Sequence, residues 1–501
     1  GDKLYTANLR LARCEDVFYC RGGRQILTPT FTCHGFRYAE VIVEGGDAKV
    51  TDIFFNVCHN DLTRTGEFDC SSELINKIYT NTLWSQRSNF LSVPTDCPQR
   101  DERLGWTGDA QIFCVSAMYN ADCKRFLARY LRDIRLDQRD NGAVTDIAPD
   151  LLGLTGEGTA AWGDAVCVIP YNHYVMYGDL TILEDNIEAM KKWVEYLRTH
   201  STNLIRPAEG YGDWLSVYEE TDKSVLATAY FAYSTLLTAK SLDYLGEDSG
   251  YYYELYEQVK QAFNAEFVDE QGMIRSDTQT CYLLALNFGL CDDREGCFAH
   301  LLRTLERRDN HLTTGFVGVS LLLPTLCEFG REDLAYALIL STDYPSWGFS
   351  VKNGATTIWE RWNSYTPENG FGDVGMNSFN HYSLGSCVQW MYSYMLGIKP
   401  DESAPGFEKL IIKPVTDPLH RVTNACGHYD SECGRIDVDW TDENGIVTLN
   451  VYKPADMSVN VDIKGDIVSV AVDGEAATLS MVAGAEEITI KYRPQHGGIE
   501  I

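Results

Sequence analysis

The segment from residue 96 to residue 109 holds the densest group of chemically useful side chains in the sequence. It reads Asp96-Cys97-Pro98-Gln99-Arg100-Asp101-Glu102-Arg103-Leu104-Gly105-Trp106-Thr107-Gly108-Asp109. Four carboxylates, two guanidinium groups and one indole fall within fourteen residues, and the prolines and glycines disfavour a regular helix through most of them. Charged runs are usually solvated loops. An indole beside carboxylates, however, offers a sugar an apolar face for stacking and acceptors for its hydroxyl groups.

A second carboxylate, Glu360, lies between two tryptophans in the segment Trp359-Glu360-Arg361-Trp362. The segment Ser378-Phe379-Asn380-His381-Tyr382 follows and contributes an imidazole. Core tryptophans and a structural histidine would explain these segments equally well on residue type alone. Two weaker groups each pair an aspartate with a tryptophan beside a glycine: Trp162-Gly163-Asp164 and Gly212-Asp213-Trp214.

Paired carboxylates with aromatic walls indicate hydrolysis of a glycosidic bond. One carboxylic acid would protonate the leaving oxygen, and one carboxylate would activate water. The sequence contains no Gly-rich phosphate loop, no G-x-S-x-G elbow and no H-E-x-x-H motif. The burial of Glu360 would raise its pKa and the adjacent Arg361 would lower it, so the sequence leaves the direction of the shift open.

The hydrophobic period divides the chain into three regions. Residues 1–65 alternate as strands do, for example over 36–43, and predict a partial N-terminal β-domain. Residues 66–400 have a helical period and predict about twelve helices, interrupted by two long loops at about 91–106 and 342–377. Residues 401–501 return to period two and predict a C-terminal β-sandwich. The fold class is therefore mainly α with β regions at both ends.

Composition limits the partners and the compartment. The chain has 501 residues and a formal net charge of −30, which disfavours binding to nucleic acid or to an anionic membrane surface. No apolar run is long enough for a transmembrane helix. Sixteen cysteines occur singly, without the spacing of a zinc site, so we expect no metal or other cofactor. Cysteines inside apolar stretches favour a reducing, cytoplasmic setting, although a removed export signal would leave the same sequence.

The run from Ser92 to Asp109 closely resembles the signature of bacterial α-L-rhamnosidases, glycoside hydrolase family 78. The segments 354–362 and 378–382 resemble later motifs of that family in the same order, and the resemblance covers nearly the whole chain. It implies an (α/α)6 barrel between β-domains and an inverting exo-hydrolase that releases terminal α-L-rhamnose from a glycoside or oligosaccharide. It also implies the roles of general acid for Glu102 and general base for Glu360, with carboxyl groups about 6.5–9.5 Å apart.

The resemblance further assigns residues to the rhamnose pocket. Closely matched positions are Asp96, Arg100, Trp106, Asp109 and His381; Trp359 lies beside the base, and Asp164 and Trp214 match more loosely. Members of the family usually carry further β-domains before the strand region with which this chain begins, so the chain is either a reduced member or a fragment. The aglycone, linkage preference and oligomeric state are outside what the sequence predicts.

Two other functions remain open at this point. The chain could be a different (α/α)6 carbohydrate enzyme, either another exo-glycosidase or a polysaccharide lyase that uses groups such as His381 and Tyr382 to abstract a proton. It could also be a rhamnose-binding protein without activity. The presence of both Glu102 and Glu360 argues against a pure binder, because binding alone does not need the pair.

Overall fold

The computed structural model describes residues 3–151, 153 and 156–496. The outermost residues of the predicted terminal regions, 1–2 and 497–501, lie outside this part. Twelve helices of at least six residues follow one another between residues 73 and 352. They are α1 (Glu73–Asn89), α2 (Thr107–Asn120), α3 (Lys124–Asp137), α4 (Ala165–Tyr177), α5 (Thr181–Thr199), α6 (Lys223–Leu245), α7 (Gly250–Phe267), α8 (Gln279–Asn287), α9 (Arg294–Glu306), α10 (Phe316–Glu328), α11 (Glu332–Leu340) and α12 (Trp347–Lys352).

A further helical segment, 383–396, consists of a 3-10 turn (Ser383–Cys387), a short α-helical turn (Val388–Trp390) and a π-helical turn (Met391–Leu396). The even-numbered helices α2, α4, α6, α8 and α10 contact one another in that order, and the 383–396 segment contacts both α10 and α2. These six elements therefore form a closed inner ring. Each outer helix (α1, α3, α5, α7, α9 and α11) packs on a member of the ring. The arrangement is an (α/α)6 barrel, as predicted.

The amino-acid pattern explains which helices are inside. In α2, thirteen of fourteen residues are buried, polar ones included, because neighbouring elements enclose the helix. In α3, which has the same length, only one stripe is buried. That stripe consists of Phe126, Leu127, Tyr130, Leu131 and Ile134, with the spacing of a helix that rests one face on a core.

The inner helices begin at the same end of the barrel. Contacts between residues at or just before different helix starts show this: Asp109 with Ser383, Gly108 with Trp162, and Asp213 with both Thr280 and Gly315. Helix N-termini carry unpaired N–H groups and a partial positive charge, so this end of the barrel favours carboxylates. The two predicted long loops lie at this end. The second of them also contains α12 and a hairpin of β4 (Tyr365–Thr366) and β5 (Gly370–Phe371).

The C-terminal β-sandwich consists of two sheets. The seven-stranded sheet has the order β1-β8-β9-β10-β14-β12-β13, and the smaller sheet has the order β11-β7-β6. The strands are β1 (Gly66–Cys70), β6 (Ile398–Pro400), β7 (Lys409–Ile412), β8 (Asn424–Ser431), β9 (Gly434–Glu443), β10 (Ile446–Tyr452), β11 (Ser458–Val461), β12 (Gly465–Val472), β13 (Glu475–Ala476) and β14 (Glu487–Pro494). Strand β1 pairs antiparallel with β8, so a strand that precedes the barrel belongs to the C-terminal sheet.

The strands predicted for the N-terminal region are not formed in this structure. Among residues 3–62 the only regular element is a 3-10 turn, Ala7–Leu9, and the alternating segment 36–43 is largely exposed without a paired neighbour. A strand is held by hydrogen bonds to an adjacent strand, and the alternating pattern alone does not supply that partner. Within the described residues, no helix has the length and apolarity needed to cross a bilayer.

Candidate active site

A single buried guanidinium, that of Arg100, joins the two long loops. Its Nη1 donates to Oε2 of Glu360 at 2.9 Å, and its Nη2 donates to Oε1 of Glu360 at 3.2 Å and to Oδ2 of Asp96 at 3.0 Å. Its Nε lies 2.9 Å from Oε2 of Glu102 in an ion pair. Three carboxylates from two distant parts of the chain thus surround one positive charge. Two of them are Glu102 and Glu360.

Glu102 and Glu360 lie close together because they share this partner. The guanidinium is planar and rigid, so the nearest oxygens of the two glutamates are at most about 8 Å apart. The Nε–H of Arg100 and Oε2 of Glu102 lie outside hydrogen-bond geometry despite the short distance, and each lacks another hydrogen-bond partner. Catalytic hydrogen bonds are often loosely aligned before a substrate binds and tighten around it.

The surroundings of the two glutamates differ. The side chain of Glu102 is 13% exposed, and its Oε1 accepts a hydrogen bond from Nε1 of Trp106 at 3.0 Å. The side chain of Glu360 is only 2% exposed, and its Oε2 also accepts from the backbone N–H of Ser378 at 2.7 Å. Glu102 is therefore the member of the pair that faces solvent, and Glu360 lies at the inner side of the site.

Local hydrogen bonds hold the first loop in place. The backbone N–H of Asp96 donates to the carbonyl of Leu104, and the N–H of Leu104 donates in return to Oδ1 of Asp96. This reciprocal pair closes the loop around Arg100. Gly105 permits a close approach, because a Cβ there would lie 2.3 Å from the carbonyl oxygen of Ala148. The proline and glycine framing seen in the sequence thus serves to fix the loop.

The second loop is fixed to the first. The backbone N–H of Glu360 donates to the carbonyl of Ser378, so residues on either side of the β4–β5 hairpin lie side by side. The Nε2 of Gln99 donates to Oγ of Ser378 at 2.9 Å, which links the two loops directly. The geometry of Glu102 relative to Glu360 therefore rests on backbone and side-chain bonds, as well as on Arg100.

Asp109 and His381 form a second polar pair at the same end of the barrel. The Nε2 of His381 lies 3.2 Å from Oδ1 of Asp109, and the same oxygen accepts from the hydroxyl of Ser383 at 2.9 Å. Because Nδ1 of His381 accepts from the N–H of Ser383, the ring proton is on Nε2 and points to Asp109. Burial and the nearby Arg100 hold the pKa of His381 well below its usual value, so the ring is neutral.

Crowding of carboxylates raises the pKa values of the buried aspartates. Burial is the largest cause for Asp109, whose pKa lies well above the usual value, with a further contribution from the charge of Asp96. Burial and the facing charge of Glu102 raise the pKa of Asp96 to about 7, although Arg100 opposes the shift. Such shifts are common where carboxylates are arranged for acid–base work.

An aromatic wall lies beside the carboxylates. The ring of Tyr211 lies 6.0 Å from Trp106, 4.7 Å from Trp162 and 5.7 Å from Trp214, centroid to centroid. Trp162 can lie against the start of α2 only because residue 108 is glycine; a Cβ there would be 2.5 Å from the indole. The Nε1 of Trp162 is buried without a hydrogen-bond partner. An apolar wall with an unused donor fits a ligand that carries both apolar and hydroxyl groups.

The structure brings most of the predicted residues together. Asp96, Arg100, Glu102 and Glu360 are in direct contact, and Trp106 joins them through Glu102. Asp109 and His381 pair with each other, and Trp214 reaches Trp106 through Tyr211. Trp359, next to Glu360, is buried and packs edge-on against Phe379.

Asp164 is the predicted residue whose placement does not fit a substrate contact. It is fully buried, and it accepts hydrogen bonds from the N–H of Ala161, the indole of Trp193 and the hydroxyl of Ser234. Its carboxylate thus satisfies interior donors near the start of α4. In the same short motif it is Trp162 that lines the wall. In this motif, the tryptophan therefore indicated a residue of the aromatic wall, whereas the aspartate did not indicate a substrate contact.

Sequence reasoning missed three residues of the site. Tyr211 completes the wall and also donates to Oδ2 of Asp146 at 2.8 Å, but nothing distinguishes it from the other 28 tyrosines in the sequence. Arg10, from the N-terminal region, reaches Oε2 of Glu102 at 3.2 Å, and no motif marks it. Gln99 links the loops and lies inside the motif that we identified, so its position was a usable signal.

The carboxylates do not fit a metal site. Among the described residues, Asp96, Cys97 and Glu102 form the one group with metal-like spacing. Arg100 already supplies the positive charge that both carboxylates face. Burial holds the pKa of the Cys97 thiol well above its usual value, and a thiol must lose its proton to bind a metal. The group is therefore an ion-pair cluster.

Comparison with known proteins places the whole chain in one family. Residues 63–395 match the bacterial alpha-L-rhamnosidase 6 hairpin glycosidase domain, residues 397–477 match the C-terminal domain, and residues 1–58 match the concanavalin-like domain. The last match assigns the N-terminal region by sequence to a β-domain whose strands are not formed here.

Related proteins agree with these matches. An α-L-rhamnosidase of Streptomyces avermitilis is 42% identical over 466 residues, which are 92% of this chain and 45% of the relative. One of Formosa agariphila is 39% identical over 493 residues, which are 95% of this chain and 52% of the relative. The chain thus spans about half the length of the curated relatives it matches.

Solved structures give the same result. The S. avermitilis α-L-rhamnosidase complexed with L-rhamnose has a TM-score of 0.80 and 39% identity, covering 87% of this chain and 42% of that one. The native enzyme of Aspergillus terreus has a TM-score of 0.80 and 31% identity, covering 87% and 51% of the two chains. With a family domain matched over most of its length and the barrel, loops and carboxylate cluster in place, the chain belongs to the bacterial α-L-rhamnosidases, glycoside hydrolase family 78.

Proposed function

We propose that this protein hydrolyses terminal α-L-rhamnosides with inversion of configuration. The observation that carries the proposal is the contact of Glu102 and Glu360 with the same guanidinium, which keeps their nearest oxygens within about 8 Å of each other, a separation compatible with an inverting pair. The relatives named α-L-rhamnosidase, one of them solved with L-rhamnose, support rhamnose as the sugar.

The different surroundings of the two glutamates support different roles. Glu102 faces solvent, where the aglycone leaves, and would donate its proton to the glycosidic oxygen as the C1–O bond breaks. Glu360 is buried, and one lone pair of its Oε1 is free of the hydrogen bonds made by Arg100 and Ser378. This lone pair would take a proton from the water that attacks C1 from the opposite face.

The upper limit of about 8 Å on the oxygen separation accommodates a water between the ring and the base, because inverting pairs are typically about 6.5–9.5 Å apart. The wall of Trp106, Trp162 and Tyr211 would receive the methyl group of a 6-deoxy sugar. The carboxylates of Asp96 and Asp109 would accept from its hydroxyl groups.

A polysaccharide lyase is a poorer fit to the site. Its base would have to be His381 or Tyr382. The Tyr382 hydroxyl is fully buried and donates to the carbonyl of Pro94, and burial raises its pKa well above the usual value. His381 points its ring proton at Asp109. Neither group is placed to abstract a proton from a substrate.

The test is incubation of the protein with an aryl α-L-rhamnoside, followed by NMR of the first anomer released. Inversion gives the β-anomer first, and mutarotation follows. Release of the α-anomer first would contradict inversion, and an unsaturated, ultraviolet-absorbing product would indicate a lyase. Rhamnose binding without turnover of any rhamnoside would leave a binding protein and overturn the proposal.

We further infer a reducing, cytoplasmic compartment. All sixteen cysteines are unpaired, and nine of them are buried as small apolar groups. The protein is unfolded without reductant, alkylated and analysed by mass spectrometry. All sixteen thiols should then be labelled. A disulfide among the exposed cysteines would contradict the inference.

A further inference from the structure

The N-terminal region packs against both loops of the site. The ring of Tyr5 stacks on Phe371 in the second loop, with centroids 4.0 Å apart. Arg37 donates to the carbonyl of Gly354 in the same loop at 3.0 Å, and Arg103 of the first loop donates to the carbonyl of Cys33 at 3.1 Å. A region outside the six-hairpin domain thus contacts both loops that carry the proposed catalytic pair.

Arg10 is the residue of this region that reaches the chemistry. Its Nε donates to Oδ1 of Asp101 at 2.7 Å, its Nη1 donates to the carbonyl of Gly375 at 3.3 Å, and its Nη2 lies 3.2 Å from Oε2 of Glu102. The side chain is 28% exposed, so it lies at the outer edge of the site. One guanidinium therefore connects the first loop, the second loop and the proposed acid.

We propose that Arg10 is a positioning residue that fixes the carboxyl group of Glu102 for proton donation. The inference rests on the proposed function and extends it to a part of the chain outside the barrel. Its basis is the geometry around the two oxygens of Glu102.

The two oxygens of Glu102 have unequal partners. Oε2 faces two guanidinium groups, those of Arg10 and Arg100, whereas Oε1 accepts one hydrogen bond from the indole of Trp106. Negative charge is best accommodated on Oε2, so the acidic proton resides on Oε1. Without Arg10, the side chain loses its outer anchor, and Oε2 keeps Arg100 as its one remaining cation among the described residues.

The test compares Arg10→Met and Arg10→Lys with Arg37→Met. Arg37 is a matched control because it also joins the N-terminal region to the second loop, through a backbone carbonyl, and within the described chain it has no carboxylate at ion-pair distance. The first measurement is the 13C chemical shift of the Glu102 carboxyl in glutamate-labelled protein at one fixed pH, assigned through its loss in Glu102→Gln. This measurement needs no turnover.

We expect the Glu102 carboxyl resonance in Arg10→Met to move away from its wild-type position, because one of the two guanidinium groups that face Oε2 is gone. Arg10→Lys should restore most of the wild-type position, and Arg37→Met should match the wild type. An unmoved resonance in Arg10→Met, with the fold intact by circular dichroism, would overturn the inference.

The second measurement is kcat/KM on two substrates at one fixed pH. With an alkyl rhamnoside, Arg10→Met should turn over about 3- to 10-fold more slowly than the wild type. With an aryl rhamnoside whose leaving group needs little protonation, the rate should change little. If wild-type protein turns over no rhamnoside, the proposed function fails, and the NMR measurement still decides the role of Arg10.

Discussion

Glu102 and Glu360 share one guanidinium, yet their surroundings predict different responses to the same substitution. Glu102→Gln removes the proposed acid, so hydrolysis of an alkyl rhamnoside should fall by about 10²- to 10⁴-fold, with a much smaller loss for an activated aryl rhamnoside. Glu360→Gln removes the proposed base, so both substrates should lose a similar factor. Steady-state kinetics on the two substrates measures the contrast.

Glu368→Gln is the matched control for these two variants. Glu368 is an exposed glutamate in the same loop as Glu360, and its replacement should leave both rates unchanged. If Glu102→Gln slowed both substrates equally, Glu102 would not be the proton donor. If it had no effect on the alkyl rhamnoside, the acid would have to be another residue.

The raised pKa of Asp96 predicts that the free energy of unfolding depends on pH. Its pKa is raised from the usual 3.8 to about 7 by burial and by Glu102, so the folded protein holds this proton more tightly than the unfolded chain. Its favourable contribution is therefore present below about pH 4 and is lost as the pH rises through about 7. Between pH 5 and pH 8, Asp96→Asn should gain about 2 kcal/mol in the free energy of unfolding relative to the wild type.

Urea unfolding at several pH values between 5 and 8 measures this difference. Asp401→Asn is the control, because an ion pair with Lys409 and hydrogen bonds hold the pKa of Asp401 down at about 2. The contribution of Asp401 is lost only as the pH falls through about 2, so it should be constant over this range. Parallel curves for Asp96→Asn and the wild type would show that Asp96 titrates normally in the folded protein.

The helices were predictable from the period of apolar residues, whereas the proximity of the two loops was predicted only through the family resemblance. The period of apolar residues indicates which face of a helix is buried, and it was enough to predict a helix at α3 and at the almost fully buried α2. It carries no information on which helix starts lie together. Glu102 and Glu360 are 258 positions apart, and only the closed ring of inner helices brings their loops to one place.

The same limit explains two places where the structure departs from the prediction. Asp164 lies beside a glycine and a tryptophan as Asp213 does, and the sequence does not show that its acceptors face interior donors. The segment 36–43 alternates as a strand does, but a strand forms only where a neighbour supplies hydrogen bonds. Local pattern predicts a preference, and long-range pairing decides the outcome.

The close contact of Gly108 in α2 with Trp162 in the loop before α4 predicts that a side chain at position 108 disturbs the aromatic wall. Gly108→Ala would place a methyl group 2.5 Å from the indole of Trp162, so the wall must move away from the start of α2. We expect a loss of about 1–3 kcal/mol in the free energy of unfolding and at least about a tenfold fall in kcat/KM. Gly484→Ala, where nothing lies within 4 Å, is the control. Wild-type kinetics in Gly108→Ala would show that Trp162 does not contribute to binding.

The chain connects the barrel to the C-terminal β-sandwich both before the first barrel helix and after the last inner element. Strand β1 precedes the first helix and pairs with β8, and the 383–396 segment ends directly before β6. The indole of Trp440 in β9 donates to the carbonyl of Met395 at 2.8 Å, which ties the sheet to the last inner element. A cut between barrel and sheet would leave β1 without its neighbour. The two parts should therefore unfold as one unit.

Trp440→Ala tests this coupling across the whole molecule. The side chain is fully buried, so its removal should cost about 3–5 kcal/mol. Because the barrel depends on the sheet, the helical circular dichroism signal and the tryptophan fluorescence should shift together in a single transition at lower urea concentration. Tyr452→Ala, an exposed position in the same sheet, should leave the transition in place. Separate transitions, with the helical signal unmoved, would show instead that the barrel is stable without the sheet. In that case the pairing of β1 with β8 would not contribute to the stability of the barrel.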